Sequence, residues 1–168
     1  NEWPWGLMEF IRLAKIKNLP LVCTLQNSYS LINRIVELGM TEIFFREKLS
    51  FFSYSPLGFG HLSGKYLKDP KAAGRVNLFP GYAQRYNKSG VKKAIEKYDA
   101  LAAKRNVSLT DLALSFVYSQ WFVTSTVIGA TNMNQLKQNI AAYGLDIVDE
   151  ELIQEIDAIH LHVMNPAP

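Results

Sequence analysis

Three short apolar runs decide what this chain can fold into. LPLVCTLQ (19–26), LSFFSYS (49–55) and TSTVIGA (124–130) are each bounded by polar or turn-forming residues and are of strand length. Around them, apolar side chains recur at helical spacing over 4–17, 33–48, 89–105, 108–120, 132–143 and 149–160. Strands separated by helices pair in parallel, so the expected class is α/β. Each run is apolar enough to be covered on both faces, and a sheet of only three such strands leaves two unpaired apolar edges. The expectation is therefore that neighbouring strands lie before Asn1, where the chain starts without a methionine, and that 1–168 is a single-domain piece of something longer.

Local chemistry sharpens the element ends. Pro4 suits a first helical turn, in a helix that closes near Asn18. Ser108 with Asp111 three residues on is a near relative of the capping box, and Asp149 is placed to cap a last helix lined by Leu152, Ile156 and Ile159. From 57 to 87 the chain is rich in glycine, proline and lysine and has little periodicity, and a loop that long in a compact domain is usually functional.

Composition excludes several classes. With 48% apolar and 20% charged residues the chain is globular rather than disordered. No apolar run reaches the roughly 18 residues that a bilayer demands, so no membrane partner is expected. The single cysteine, Cys23, has no partner for an internal disulfide, which favours a reducing, cytoplasmic setting. The net charge is +3, and the one loose basic group, Lys92, Lys93, Lys97, Lys104 and Arg105, reads as a solvated helix face. No stacking aromatics are interleaved with it, so nucleic acid is not an expected partner. His160 and His162 are two apart on a helix and diverge, which argues against a metal site.

Ligands of parallel α/β folds gather at the carboxyl ends of strands. Here those ends read Gln26-Asn27-Ser28-Tyr29, Tyr54-Ser55-Pro56-Leu57-Gly58 and Gly129-Ala130-Thr131-Asn132. Tyr54 can stack on a flat ring, and the Gln26 amide can donate and accept at once, as a carboxamide requires. Ser55 and the glycine-containing turn could hold phosphates, as could the helix start after Thr131. Lys65 and Arg75, ten residues apart on the long loop, could neutralise another. Each residue alone has an ordinary packing or solvation explanation; together they match the parts of a nicotinamide dinucleotide. The glycines of GFGHLSG do not follow the Rossmann spacing.

LQNSYSLINR, YSPLGFGHLSGKY, Gly74-Arg75 and VIGATNMNQLKQNI, in this order, resemble segments of the aldo-keto reductases, particularly the Tas-like branch related to potassium-channel β-subunits. The likeness runs over essentially the whole chain. It implies the C-terminal part of a (β/α)8 TIM barrel, with about three parallel strands and their helices, an incomplete barrel. It further implies that Asn1 and Gln26 hold a nicotinamide carboxamide, that Tyr54 stacks on the ring, and that Ser55, Leu57 and Gly58 line the pyrophosphate. Lys65 and Arg75 would meet the adenosine 2′-phosphate, approached from the last strand's side by Thr131 and Gln135, while Gln138 and Asn139 would contact adenine. Two cations at one phosphate favour NADPH over NADH. The family's catalytic Asp, Tyr, Lys and His come from its first four strands, so no catalytic residue is expected here, and Tyr29, His61 and Lys65 do not stand in the motifs of those catalytic residues.

The resemblance thus implies an NADP-dependent oxidoreductase that reduces small-molecule aldehydes or ketones to alcohols, of which this chain is the cofactor-binding half, inactive alone. The rival readings are a nucleotide-binding or regulatory module without turnover, and a half-barrel that self-assembles into a homo-oligomer through its exposed strand edges. Neither the carbonyl substrate nor the origin of the truncation is written in these residues.

Overall fold

The computed structural model describes residues 1–79, 81 and 84–168. Its sheet is three parallel strands, β1 (Thr24–Ser28), β2 (Ser50–Tyr54) and β3 (Ser125–Val127), in the order β1-β2-β3. The long helices are α1 (Pro4–Lys17), α2 (Met40–Glu47), α5 (Ser89–Lys104), α6 (Leu109–Tyr118), α7 (Met133–Ala141) and α8 (Glu150–His162); two short ones, α3 (Lys65–Lys68) and α4 (Arg75–Leu78), lie between β2 and α5. The sheet is open, as an incomplete (β/α)8 barrel requires.

Register explains how one sheet serves two purposes. Leu25 pairs across to Phe51 and Asn27 to Ser53, so these side chains share a face, on which Phe51 and Ser53 are fully buried. The helices cover this side. Phe51 stacks on Phe44 of α2 with ring centroids 5.0 Å apart, and Tyr29 lies 5.9 Å from Phe116 of α6 and 5.2 Å from Phe122. At the edge of this layer, the Ser53 hydroxyl meets that of Thr126 at 2.9 Å, so the buried serine has a partner. The alternate positions, Gln26 opposite Phe52 and Ser28 opposite Tyr54, form the other face. There Thr24, Gln26 and Val127 are exposed while Phe52 and Tyr54 are half-buried.

Several expectations need correction. Burial of each strand on both faces does not hold, because nothing among the described residues covers the Gln26–Tyr54–Val127 side. The first strand begins at Thr24 rather than near residue 19: Leu19 and Leu21 are exposed, and Cys23 is exposed too. The third is confined to 125–127. The helical pattern over 33–48 is split into a 3-10 turn at Ile35–Glu37 and α2, because Gly39 adopts φ +102, a left-handed conformation that breaks the helix. The stretch 57–87 holds two 3-10 turns besides α3 and α4 and is far from structureless; positions 80, 82 and 83 lie outside the described residues.

The capping expectations match. Ser108 Oγ accepts from Asp111 N at 3.1 Å, and Asp149 Oδ1 accepts from Leu152 N at 2.6 Å. The basic group over 92–105 is a solvated face except at its end. Arg105 reaches Asp149, Glu151 and Glu155 within 3.2 Å, and Lys104 also binds Glu155, so this corner ties α5 to α8.

Candidate functional site

The carboxyl ends of β1 and β2 open into a cleft of about 440 Å³, lined by Asn1, Trp3, Asn27, Ser28, Leu38, Tyr54, Arg85 and Pro168 among others. Besides Tyr54 and Arg85, its wall is drawn from the N-terminal segment, the loop after β1 and the tail. Asn27 fixes the first: its Oδ1 accepts from Glu2 N at 3.1 Å and its Nδ2 donates to Glu2 O at 2.9 Å, which lays the backbone at Asn1 along β1. The loop after β1 supplies the second piece, and its anchor is Arg34. That guanidinium binds Glu37 at 2.8 Å and Asp157 of α8 at 2.7 Å, lies 5.2 Å from the Phe116 ring centre, and has a side chain only 11% exposed. Burial pulls Arg34 toward the neutral form, but its hydrogen bonds to Glu37 and Asp157 outweigh this and hold it above its ordinary value. Tyr29 donates to Glu37 at 2.5 Å, and its phenol is pushed well up, first by burial and then by the Glu37 charge.

The third piece is the tail. Arg34 N donates to Asn165 Oδ1 at 2.6 Å and Ala167 N to Ile32 O at 3.1 Å, with Ala167 fully buried. This strap carries Pro168 to the cleft, where Tyr54 and Arg85 also lie.

Tyr54 ends β2, and the chain then turns sharply through left-handed Ser55 (φ 55), Gly58 (φ 52), Phe59 (φ 56) and Gly60 (φ 89). Gly58 is required twice over, since its φ is positive and a Cβ there would lie 2.9 Å from Ile32 Cδ1. Leu57 is half-buried in this turn. Beyond it the loop doubles back on itself. Lys65 Nζ donates to Ala73 O at 3.0 Å and lies 4.8 Å from the Tyr66 ring centre, while Arg75 lies over the Phe59 ring at 5.4 Å. A side chain at Gly74 would collide with the Lys65 ammonium and the Tyr66 hydroxyl, so glycine there lets Lys65 approach the residue next to Arg75. Two residues ten apart in sequence are thus brought to one lip of the turn.

His61 sits beneath, its ring centre 4.9 Å from Tyr66 and 5.4 Å from Tyr86. Burial, with a smaller push from Lys65, lowers its pKa. Tyr86 is buried against Phe59, and burial raises its phenol.

The last strand end forms a separate group. Thr131 N and Oγ1 donate to Gln135 Oε1 at 2.9 and 3.0 Å, and Asn132 caps α7 through Gln135 N. Gln138 Nε2 donates to Ser108 and Asp111 at 3.0 and 3.1 Å, and Asn139, 3% exposed, donates to Gly129 O at 3.1 Å. Among the described residues no hydrogen bond joins this group to Lys65 or Arg75. Gln26 stands exposed on β1, one alternation below Ser28 on the open face.

The cationic lip carries the donor chemistry for an oxygen-rich anion, which could replace the Ala73 carbonyl at Lys65. Sequence reasoning passed over Asn27, Arg34, Arg85 and the tail. Asn27 stood beside Gln26 at a strand end and was the one recoverable signal, whereas the Arg34–Asp157 and Arg34–Asn165 contacts span more than a hundred residues.

The chain is 40% identical over 168 residues to the protein tas of Escherichia coli K12, covering all of this chain and 48% of that protein. It is 36% identical over 174 residues to an aldo-keto reductase of Babesia bovis (99% of this chain, 61% of the relative) and 27% identical over 172 residues to a probable voltage-gated potassium channel subunit beta of Oryza sativa subsp. japonica (92% and 51%). It therefore spans about half the length of the curated relatives it matches. The aldo/keto reductase family profile matches residues 2–160, nearly the whole of the chain, so this chain belongs to the aldo/keto reductase family and resembles its Tas-like branch.

Proposed function

We propose that the intact protein is an NADPH-dependent oxidoreductase that reduces small aldehydes or ketones, and that 1–168 is its single-domain, cofactor-binding C-terminal half. The observation that carries this is Lys65 packed at Gly74 with Arg75, the next residue, over the Phe59 ring, directly beyond a left-handed turn that follows Tyr54. A 2′-phosphate dianion between two cations would account for the lip and predicts that NADPH binds in preference to NADH.

When bound, NADPH supplies a hydride; the side chains of this half bind and orient. Asn1 and Gln26 hold the carboxamide from either side of Asn27, which fixes the backbone at Glu2. Tyr54 offers its ring to one face of the nicotinamide and leaves the other to the cleft. Ser55, Leu57 and Gly58 line the pyrophosphate. Thr131 and Gln135 flank the phosphate from α7, where Gln138 keeps its carbonyl oxygen for adenine and Asn139 fixes the turn at Gly129 beneath it. No residue here is assigned the proton transfer, and 1–168 alone is expected to be inactive.

The test uses the full-length protein. NADPH should be oxidised with a reactive neutral aldehyde such as 4-nitrobenzaldehyde, and Arg75→Ala should weaken NADPH far more than NADH binding. Equal losses for both nucleotides remove Arg75 from the 2′-phosphate. Tight NADPH binding with no oxidation by any reactive aldehyde replaces the reductase by a nucleotide-binding regulatory module, the reading that the channel-subunit relative favours.

A further inference from the structure

Among the described residues, Arg85 is the one basic side chain on the cleft wall. It lies on the same cleft as Tyr54, Ser28 and Asn1, with its guanidinium 5.0 Å from the Tyr86 ring centre. Among the described residues it makes no ion pair, although most of the other arginines do. Glu2, the acidic side chain on this wall, turns its Oε1 to the Trp3 amide at 2.9 Å and is not paired with Arg85. Most of the remaining lining is apolar, including Trp3, Val36 and Leu38.

A guanidinium hydrogen-bonded to the Tyr86 phenol and lying over its ring, at a largely apolar cleft, keeps further donors and has no ion-pair partner among the described residues. In such a setting a carboxylate or phosphate gains a bidentate pair, while a neutral group of the same shape gains little. Lys65 and Arg75 are engaged by Ala73 O and by the Phe59 ring, and neither lines the cleft.

We propose that Arg85 is a specificity-determining anion site of the cleft, and that the carbonyl compound it takes has an apolar body ending in a carboxylate or phosphate. This rests on the reductase reading only for the word substrate. The binding of the anion stands apart from turnover.

Two measurements on the full-length protein, saturated with NADP+ or NADPH, separate the two ideas. Calorimetric titration with benzoate and with benzamide needs no chemistry. Benzoate should bind at least about tenfold more tightly, the worth of one charge-assisted pair, and Arg85→Gln should erase that difference while Arg85→Lys keeps part of it. In turnover, kcat/KM for 4-carboxybenzaldehyde should exceed that for 4-nitrobenzaldehyde, and Arg85→Gln should reduce only the former, with NADPH affinity unchanged. Equal binding of benzoate and benzamide, or equal loss on both aldehydes in Arg85→Gln, overturns the anion site. Loss of NADPH affinity in Arg85→Gln assigns the residue to the cofactor and overturns it as well. Retained benzoate selectivity with no oxidation of either aldehyde sustains the anion site and overturns the reductase. A preference for 4-phosphooxybenzaldehyde over 4-carboxybenzaldehyde identifies phosphate as the natural anion.

Discussion

The two faces of the same three strands behave as different materials. On one, Leu25, Phe51 and Ser53 are sealed under aromatic rings from α2, α6 and the 119–124 turn; on the other, one residue along in each strand, Gln26, Phe52, Tyr54 and Val127 are open or half-open. The pleat alone makes this division, since adjacent side chains point to opposite sides. What it teaches is that stability and ligand binding here are written on alternate residues, so substitutions one position apart should report on different properties.

The sharpest way to break this comparison is at Phe51 and Phe52. In the 168-residue chain Phe51→Ala should cost about 4 kcal/mol, because a fully buried ring leaves a cavity among Phe44, Tyr29 and Phe122, whereas Phe52→Ala should cost about 1 kcal/mol or less. Urea denaturation gives both values. Equal costs would mean that the open face is covered in solution, by a second copy of the chain if sizing shows a dimer.

The next largest effect tests whether polar groups can be as fixed as rings. Arg34→Met removes the partner of Glu37 and Asp157 and the donor cluster that faces Tyr29, and should cost about 3 kcal/mol. It should also loosen the tail, because the pairs with Glu37 and Asp157 that fix the position of residue 34, whose N–H binds Asn165, are lost. Limited proteolysis near residue 164 reads that loosening. A variant as stable as the parent would show the cluster to be replaceable by apolar packing.

How much of this was legible in the sequence follows the same division. Local signals with a single physical meaning translated directly: Ser108 and Asp149 cap their helices, and the three strands and their parallel order follow from the alternation with helices. The uncovered face departs from expectation because apolar runs such as FFSY look alike whether one or both faces are packed. The first strand was started too early, at Leu19, because an apolar stretch carries no mark of which residues pair and which stay exposed. At the site, the residues following Tyr54 were readable from composition, but the meeting of Lys65 with Gly74 depends on a loop folding back, and the Arg34 latch on contacts between chain ends.

On the open face, Tyr54→Ala should leave the stability of the 168-residue chain within about 1 kcal/mol, in keeping with a half-buried ring. In the intact protein the same substitution should weaken NADPH binding by about tenfold, as expected for one lost aromatic stack. A loss of folding instead of binding would place Tyr54 with Phe51 among the packing residues and dissolve the functional half of the comparison.

The smallest effect is a pH dependence that comes from the edges of both regions. His61, between Tyr66 and Tyr86 with Lys65 alongside, and His160, beside Arg34, Glu37 and Asp157, both have pKa values lowered from an ordinary 6.5, chiefly by burial and next by the neighbouring cation. Each folded imidazole is therefore harder to protonate than its unfolded counterpart. Above pH 6.5 both states are neutral and the groups contribute nothing to the slope; below it the unfolded state takes up the proton first, so stability declines as pH falls from 6.5 through the lowered folded values. The carboxylates whose pKa is lowered, Glu9 and Glu155, act only below their ordinary 4.5, which leaves the window between 4.5 and 6.5 to the histidines. Urea midpoints measured across that window should fall with pH, and His61→Gln combined with His160→Gln should flatten the slope. An unchanged slope in the double variant would show that neither imidazole is buried in solution as it is here, and with it that the Tyr66–His61–Tyr86 stack under the cationic lip is open.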